Sequence, residues 1–554
     1  MAFSPARSVS ARPALSPSLF ERLVARAASG VLVDVLLVGM LVGVAGSIRW
    51  PYLLLSPQFP SIGDVIQMAL DVADGRAFYL ADDSPYLGVP FMYILAAAYK
   101  IFGPSIEVTL LVPWVIGSLT IIPTYLLGRE LAGRPAGLLA GALMATAGAH
   151  VVVSSHVPLS HSLTPLVSTV TIWLLARAIK RDCGKSLAVS GLCAGLAFQT
   201  HPTVFPLLAG SAIAALLTRP AWLKTRWPYI GLALVVVGYS TLLVYHVQTN
   251  FAVIGDIEGK QQRYLDGAAD VDESSDDSLY LKNLSQLSIS LARMASGEIN
   301  ERDSSEEYLR DPWVLAYPAL ALVGAVVAAR RGNPLLAVAL LLAVFWPPLL
   351  SGKYKPILDG RYLMPDLPVL FVDIAVAFTA MAGVVARSTS ALRLAGVGVL
   401  FVAATFLVAH PLTYLDRFYQ ESQEDGFSNA AYFRTLDLLK SAGAGPEPVV
   451  MDARLIEVKS AGGGKAHNNF AWMFAVSRIP TENWSAAAGP TPLVGRLAIL
   501  HRNSAEELRG QVQLVSLDGR RLNGKDPDSY RAYRIGAIGE QAASAAAPTT
   551  TRRR

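Results

Sequence analysis

The chain has 554 residues, of which 53% are hydrophobic and only 16% charged, with a mean hydropathy of +0.41. A soluble domain carries about a quarter charged residues, so this balance excludes a water-soluble enzyme, a disordered chain and a disulfide scaffold. The net charge of +5 fits the cationic loops of a membrane protein and argues against nucleic-acid binding.

A helix needs about 20 residues to cross the hydrocarbon of a bilayer. Apolar runs near 30–49, 106–127, 135–153, 163–179, 186–200, 202–218, 228–248, 312–329, 334–350, 366–386 and 394–412 meet or approach that length. They predict an α-helical multi-pass membrane protein with about eleven transmembrane helices, residues 30–412 forming the membrane domain. The first run is too long for a cleavable signal, and no convincing small-residue cleavage site follows it. The fifth and sixth runs are short and share the hinge Gln199-Thr200-His201-Pro202.

Charge sets the orientation. With the segment 1–29 on the cytoplasmic side, the inner segments hold Arg129, Arg134, Arg177, Lys180, Arg181, Lys185, Arg219, Lys224, Arg226, Arg330, Arg331, Arg387 and Arg393, besides four arginines in 1–29. Only Glu21, Glu130 and Asp182 oppose them, the bias expected of cytoplasmic loops. Merging the fifth and sixth runs would move Arg330 and Arg331 outside, so they count as two spans. Four segments then face outward: loops 50–105, 249–311 and 351–365, and a domain at 413–537. Long outer loops on plain spans place the chemistry at the outer face of the cytoplasmic membrane.

Within the first outer loop, residues 61–75 carry Ile62, Val65, Ile66, Ala69, Leu70 and Ala73 at helical spacing. The pattern predicts an amphipathic helix lying on the membrane and ending at Gly75. Residues 86–103 read as a juxtamembrane or re-entrant helix. In the tail, a helix at 428–441, strands at 448–454, 496–502, 511–517 and 530–536, and a helix at 504–510 predict a small extracytoplasmic α/β domain. Residues 538–554 are low-complexity and read as disordered. Cys183 and Cys193 match no zinc or redox spacing and read as reduced and structural.

Three places could carry chemistry. Asp64 begins the outer amphipathic helix, where it is either a helix cap or a general base for a hydroxyl. The loop KYKPILDGRYLMPDLP gathers Lys353, Lys355, Arg361 and Tyr362 just before a span. Basic groups on the outer side at bilayer depth suit a lipid phosphate. His156 and His161 end one span region and His201 another. No HExxH or outer cysteine accompanies them, so they read as groups that hydrogen-bond substrate or as plain structural residues, not as metal ligands. Asp270-Val271-Asp272 resembles a metal-binding DxD, but lies in a run of acids and serines where such triplets arise by composition. No P-loop, GxGxxG or GxSxG in a suitable context is present.

Taken in order, the motifs GDVIQMALDVADG, SPYLGVPFMYILAAAYKIFGPS, Tyr125-Leu126-Leu127-Gly128-Arg129, AGRPAGLLAGALMATAGAH, GLAFQTHPTVFPLL and GRYLMPDLPVL resemble those of the C-type (GT-C) glycosyltransferases. The resemblance is to dolichyl-phosphate-mannose-protein mannosyltransferases and the aminoarabinose lipid A transferases, over about residues 30–412. It places Asp64 on the catalytic acid and Gly75 on the closing glycine. Three positions depart: Val65 stands where a second acid is frequent, His201 where lysine is, and Ser160-His161 where an outer acid is. The resemblance implies the GT-C fold and inverting sugar transfer from a polyprenyl-phosphate donor to a lipid, glycan or protein acceptor. Asp64 would be the base, and Lys355 and Arg361 would stabilise the leaving phosphate without a metal or other cofactor. The rival readings are a lipid-linked sugar transporter, which predicts intramembrane charges such as Asp34 and Asp373, and an assembly protein that has lost catalysis.

Overall fold

The computed structural model describes residues 30–55, 62–80, 86–251, 279–297, 312–349, 360–424, 429–445, 447–456, 466–517 and 530–537. Residues 1–29 and 538–554, most of the 249–311 loop including Asp270-Val271-Asp272, and the lysines Lys353 and Lys355 lie outside them.

The chain is mostly helical. The first helix, α1 (Val31–Arg49), continues as a 3-10 turn to Leu55. Outside the bundle proper come α2 (Ile62–Ala73) and α3 (Pro90–Phe102). Then follow α4 (Ile106–Leu119), α5 (Ile121–Ala132), α6 (Arg134–Thr146), α7 (Gly148–His156) and α8 (Ser160–Arg181). After them come α9 (Gly184–Thr200), α10 (Phe205–Thr218), and the pair α11 (Trp227–Gly238) and α12 (Ser240–Gln248). The bundle ends with α13 (Leu279–Ser296), α14 (Pro312–Arg330), α15 (Leu335–Phe345), α16 (Leu367–Val385) and α17 (Ser390–Glu424).

Among the described residues six stretches are long and apolar enough to cross a membrane: Val31–Leu55, Ile106–Ala132, Ser160–Arg181, Trp313–Arg330, Arg361–Val385 and Ser390–Gln420. The pair α11 and α12, bent by 64°, makes a seventh if it is one span. The expected eleven is therefore reduced on length alone. The run 135–153 is broken at Ala147, whose ψ of 103° leaves the helical region, into α6 and α7. The runs at 186–200, 202–218 and 334–350 fold as helices too short to pass the same test.

The hinge at 199–202 separates two opposed legs. Arg219, at the end of α10, donates to the carbonyl of Ile179, and Trp222 donates to Asp182 at the junction of α8 and α9. The end of α10 thus returns to the level where α9 begins. Keeping the two runs separate agrees with this geometry.

One end of the bundle is tied by charge. Asp34 accepts from Arg129 and Arg134 at 2.8 Å each and from the Tyr125 hydroxyl at 2.8 Å. Glu130 pairs with Arg181 at 3.1 Å. The basic residues that the sequence placed in the loops after the second, fourth and sixth spans gather here.

The opposite end is covered by the tail. Here α18 (Ala430–Ser441), β1 (Val449–Asp452), α19 (Ala466–Val476), β2 (Thr481–Trp484), β3 (Leu497–His501), α20 (Arg502–Glu507), β4 (Gln513–Ser516) and β5 (Tyr530–Gly536) build one sheet. Its order is β2-β1-β3-β5-β4, parallel across β2, β1 and β3 and antiparallel beyond. The small α/β unit and its four expected strands are present, together with α19 and β2, which the sequence did not signal.

Two expectations about this end change. The boundary at 412 falls inside α17, because Leu415, Phe418 and Tyr419 are buried in the bundle core and carry the helix onward to Glu424. The amphipathic helix at 61–75 forms as α2, with Gly75 at φ +102° closing it. Part of its apolar face is covered by protein: Val65, Ile66 and Ala69 share one core with α3 and α4, the start of α8, and α18 and α19 of the tail. Protein surface of matching apolarity is available, and it covers that part of the stripe.

Candidate active site

The site forms where three breaks in helical structure meet. Pro202 has no N–H to extend α9, so the chain turns out of the helix at His201, which is extended with φ −167° and ψ 139°. The Thr203 N–H donates to His201 Nδ1 at 3.2 Å. That bond fixes the proton on Nε2, leaving an outward N–H donor.

Gln199 locks the hinge to its neighbours. Its carbonyl accepts from the Gly88 N–H at 2.7 Å, and its side-chain amide donates to the Gly238 carbonyl and accepts from the Thr241 hydroxyl. Gly88 is needed here, because a Cβ would meet the Gln199 side chain. This docking sets the Tyr86 ring edge-on to His201, centroids 5.9 Å apart.

A second break follows α7, where Val157 is extended before α8 begins at Ser160. His161 therefore sits in the first turn of α8. It is buried, and among the described residues neither ring nitrogen has a hydrogen-bond partner. Its ring lies 4.6 Å from His201 and 5.6 Å from Tyr362 between centroids. His156 closes α7.

Gly360–Asp366 is a 3-10 turn leading into α16, stiffened by Pro365. It packs on the start of α8 and on the hinge. Arg361 donates to the Tyr362 hydroxyl at 2.8 Å, and its guanidinium lies 4.5 Å over that ring. The Tyr362 ring is 4.9 Å from His201. Arg361 is close enough for its charge to act on both imidazoles.

His161, His201, Arg361 and Tyr362, drawn from three separate stretches of sequence, thus converge, and Tyr86 joins them. Asp64 is exposed in the first turn of α2, on the same end of the molecule, since α2 shares its core with Val157, Leu159 and Leu163 beside His161. The cluster suits an anion. It offers a guanidinium, a phenol and imidazole N–H groups, whereas a divalent ion would meet two neutral ligands beside a fixed cation. Among the described residues no three His, Cys, Asp or Glu side chains converge.

Sequence reasoning missed Arg49 and His150. Arg49 is fully buried at the end of α1 and donates to Ser155, to the carbonyls of Ala45 and Ala145, and to His150 Nδ1, all at 2.8–2.9 Å. It braces the first span against α7, one short connection before His161. The signal was an arginine on the outer side of a span, against the charge trend of the loops.

This helical bundle, with its broken helices and capping α/β unit, has counterparts of known structure. ArnT from Cupriavidus metallidurans bound to undecaprenyl phosphate aligns with a TM-score of 0.52 at 14% identity, over 90% of this chain and 97% of that one. The chain has the GT-C fold. The apo form of the same ArnT gives a TM-score of 0.50 at 15% identity, over 92% and 98%. The oligosaccharyltransferase AglB from Archaeoglobus fulgidus, in complex with an inhibitory peptide and a dolichol-phosphate, gives 0.45 at 13% identity, over 81% and 64%. By sequence, residues 86–245 match the family model of dolichyl-phosphate-mannose-protein mannosyltransferase. That stretch holds Tyr86, His161 and His201 but neither Asp64 nor Arg361. No curated protein matches the chain.

Proposed function

We propose that this GT-C protein is a membrane glycosyltransferase that moves a sugar, with inversion, from a polyprenyl-phosphate donor to a lipid, glycan or protein acceptor. The observation that carries this reading is the convergence of His161, His201, Tyr362 and Arg361 into one anion-ready cluster at the end of the bundle that also bears Asp64.

In this reading Arg361, with Lys353 and Lys355, holds the donor phosphate, and Tyr362 orients it. His161 and His201 donate to donor oxygens, which gives the buried His161 ring a partner it lacks among the described residues. Asp64 takes the proton of the acceptor hydroxyl as its oxygen attacks the anomeric carbon. The bond from that carbon to the phosphate oxygen breaks, and its electron pair leaves on the phosphate. Fixed positive charge there stabilises the departing dianion more than the bound ester, which is the condition for lowering the barrier. The activated donor bond supplies the driving force, so no ATP is required, and the fixed cations take the electrostatic role that a metal plays in other enzymes.

The site would face outward from the cytoplasmic membrane, with the N-terminal segment inside, about eleven passes counting the short legs, and the 413–537 unit outside. The cationic rim at the far end supports this orientation. Of the two intramembrane acids on which a transporter reading rests, Asp34 is neutralised by Arg129 and Arg134, whereas Asp373 is buried in α16 with no hydrogen-bond partner among the described residues.

Purified protein in lipid nanodiscs, given polyprenyl-phosphate sugars and candidate acceptors, should release polyprenyl phosphate. Asp64→Asn should lower transfer by about 10²–10⁴-fold while insertion and donor binding persist. Undiminished transfer would remove the base assignment. Arg361→Ala should weaken donor use more than acceptor use, and equal loss of both would remove the phosphate role. Mass spectrometry of glycolipids in a deletion strain would name the donor by what accumulates.

A further inference from the structure

We infer that helix α19 of the tail positions Asp64, making the α/β unit part of the catalytic apparatus. This rests on the proposed base role of Asp64. The carrier helix α2 has 12 residues, a length at which an isolated helix is marginal in water. Its place must come from packing. One side of α2 lies on α3, whose entry is tied to the His201 hinge through Gly88 and Gln199. Another lies on α19, about 400 residues later in the chain.

The residues that follow Asp64, Val65 and Ile66, are buried, as is Ala69 one turn on. They belong to the same core as Phe470, Met473 and Phe474 of α19. Phe470 packs edge-to-face against Tyr432 of α18 and Tyr530 of β5, at 4.8 and 5.0 Å between centroids, which anchors α19 to its own sheet. Met473 and Val476, three residues apart on a neighbouring face, are also buried. A sheet thus holds α19, and α19 with α3 holds α2. Asp64 is exposed in the first turn of the helix held in this way. Reaction geometry is sensitive at this level: a displacement of about 1 Å costs on the order of a hundredfold in rate.

The test uses the full chain in nanodiscs. Met473→Ala should lower kcat for sugar transfer at least about tenfold. Binding of polyprenyl phosphate, held by the separate 3-10 turn that bears Arg361, should stay at the wild-type level. Met473→Leu should restore kcat. Val476→Ala, a smaller truncation on the same helix, should shift kcat in the same direction and serves if Met473→Ala lowers yield. Wild-type kcat in both alanine variants overturns the inference. Parallel loss of polyprenyl-phosphate binding also overturns it, since α19 would then support the whole bundle and not Asp64. Asp64→Asn measured beside them separates the two claims. If it transfers normally the base reading fails, and if it alone is inactive only the positioning role fails.

Discussion

At the residue scale, the groups legible in the sequence were those that broke a local rule. Arg361 and Tyr362 stood out as basic and aromatic residues beside a span on the side that lacks positive charge. His201 stood out at a hinge forced by Pro202. Tyr86 gave no such signal, because its partner, the hinge, is more than a hundred residues away, and its role depends on Gly88 meeting Gln199. Arg49 broke the same charge rule, but its role was hidden for a related reason: its partners Ala145 and His150 lie within the apolar run 135–153, and Ser155 just beyond it. Its guanidinium satisfies two carbonyls, a hydroxyl and an imidazole inside the protein. Arg49→Ala would leave these buried acceptors without that donor, a loss of about 1–3 kcal/mol. Thermal unfolding in detergent should show it as a drop in Tm. Arg49→Lys should recover only part, because an ammonium cannot reproduce the fork that contacts Ala145, Ser155 and His150 together. A Tm within a degree or two of wild type in Arg49→Ala would show that the network contributes little.

At the element scale, helix existence was legible and helix contact was not. The apolar runs located most helices of the bundle, and short segments of the tail located four of its five described strands. The break at Ala147, α19 and β2 lacked a periodic signature strong enough to separate them from their surroundings. The clearest case of hidden contact is the crossing of α9 and α11. Gly191 and Gly195, four apart, put their faces against the backbone of Gly231, Val235 and Gly238. A Cβ on Gly191 would collide with the Gly231 carbonyl oxygen, and one on Gly195 with the Val235 carbonyl oxygen. Lipid gives no hydrophobic reward for bringing two apolar helices together, so close backbone packing of this kind is what joins them. Gly195→Ala should therefore destabilise the protein by about 1–3 kcal/mol by forcing the helices apart. Because α9 ends at the hinge, the same variant should also lower transfer through His201. Gly39→Ala makes the control: a Cβ there meets nothing within 4 Å, so the change should be neutral or slightly stabilising. Equal effects of the two substitutions would mean that the crossing is not held by backbone contact.

At the scale of the whole molecule, the sequence disclosed a polarity that the fold makes physical. Asp34, Arg129, Arg134, Glu130, Arg181 and Asp182 meet at one end, and the histidine and arginine cluster lies at the other under the α/β unit. What no local pattern could disclose is that the tail shares a core with the bundle, since that depends on α2 meeting α19 across most of the chain. The polarity yields a direct test of orientation. Cys183 sits beside Asp182 at the charged end and is only partly buried, while Asp74 is exposed at the end of α2. In a Cys193→Ser background, a membrane-impermeant thiol reagent added to intact cells should label Asp74→Cys and leave Cys183 unmodified. Permeabilised membranes should label both. Labelling of Cys183 in intact cells, with Asp74→Cys protected, would invert the orientation. It would place the His161 cluster and Asp64 on the cytoplasmic face, where the positive-inside bias would have to be explained anew. The outcome therefore decides on which side of the membrane a donor sugar must be presented.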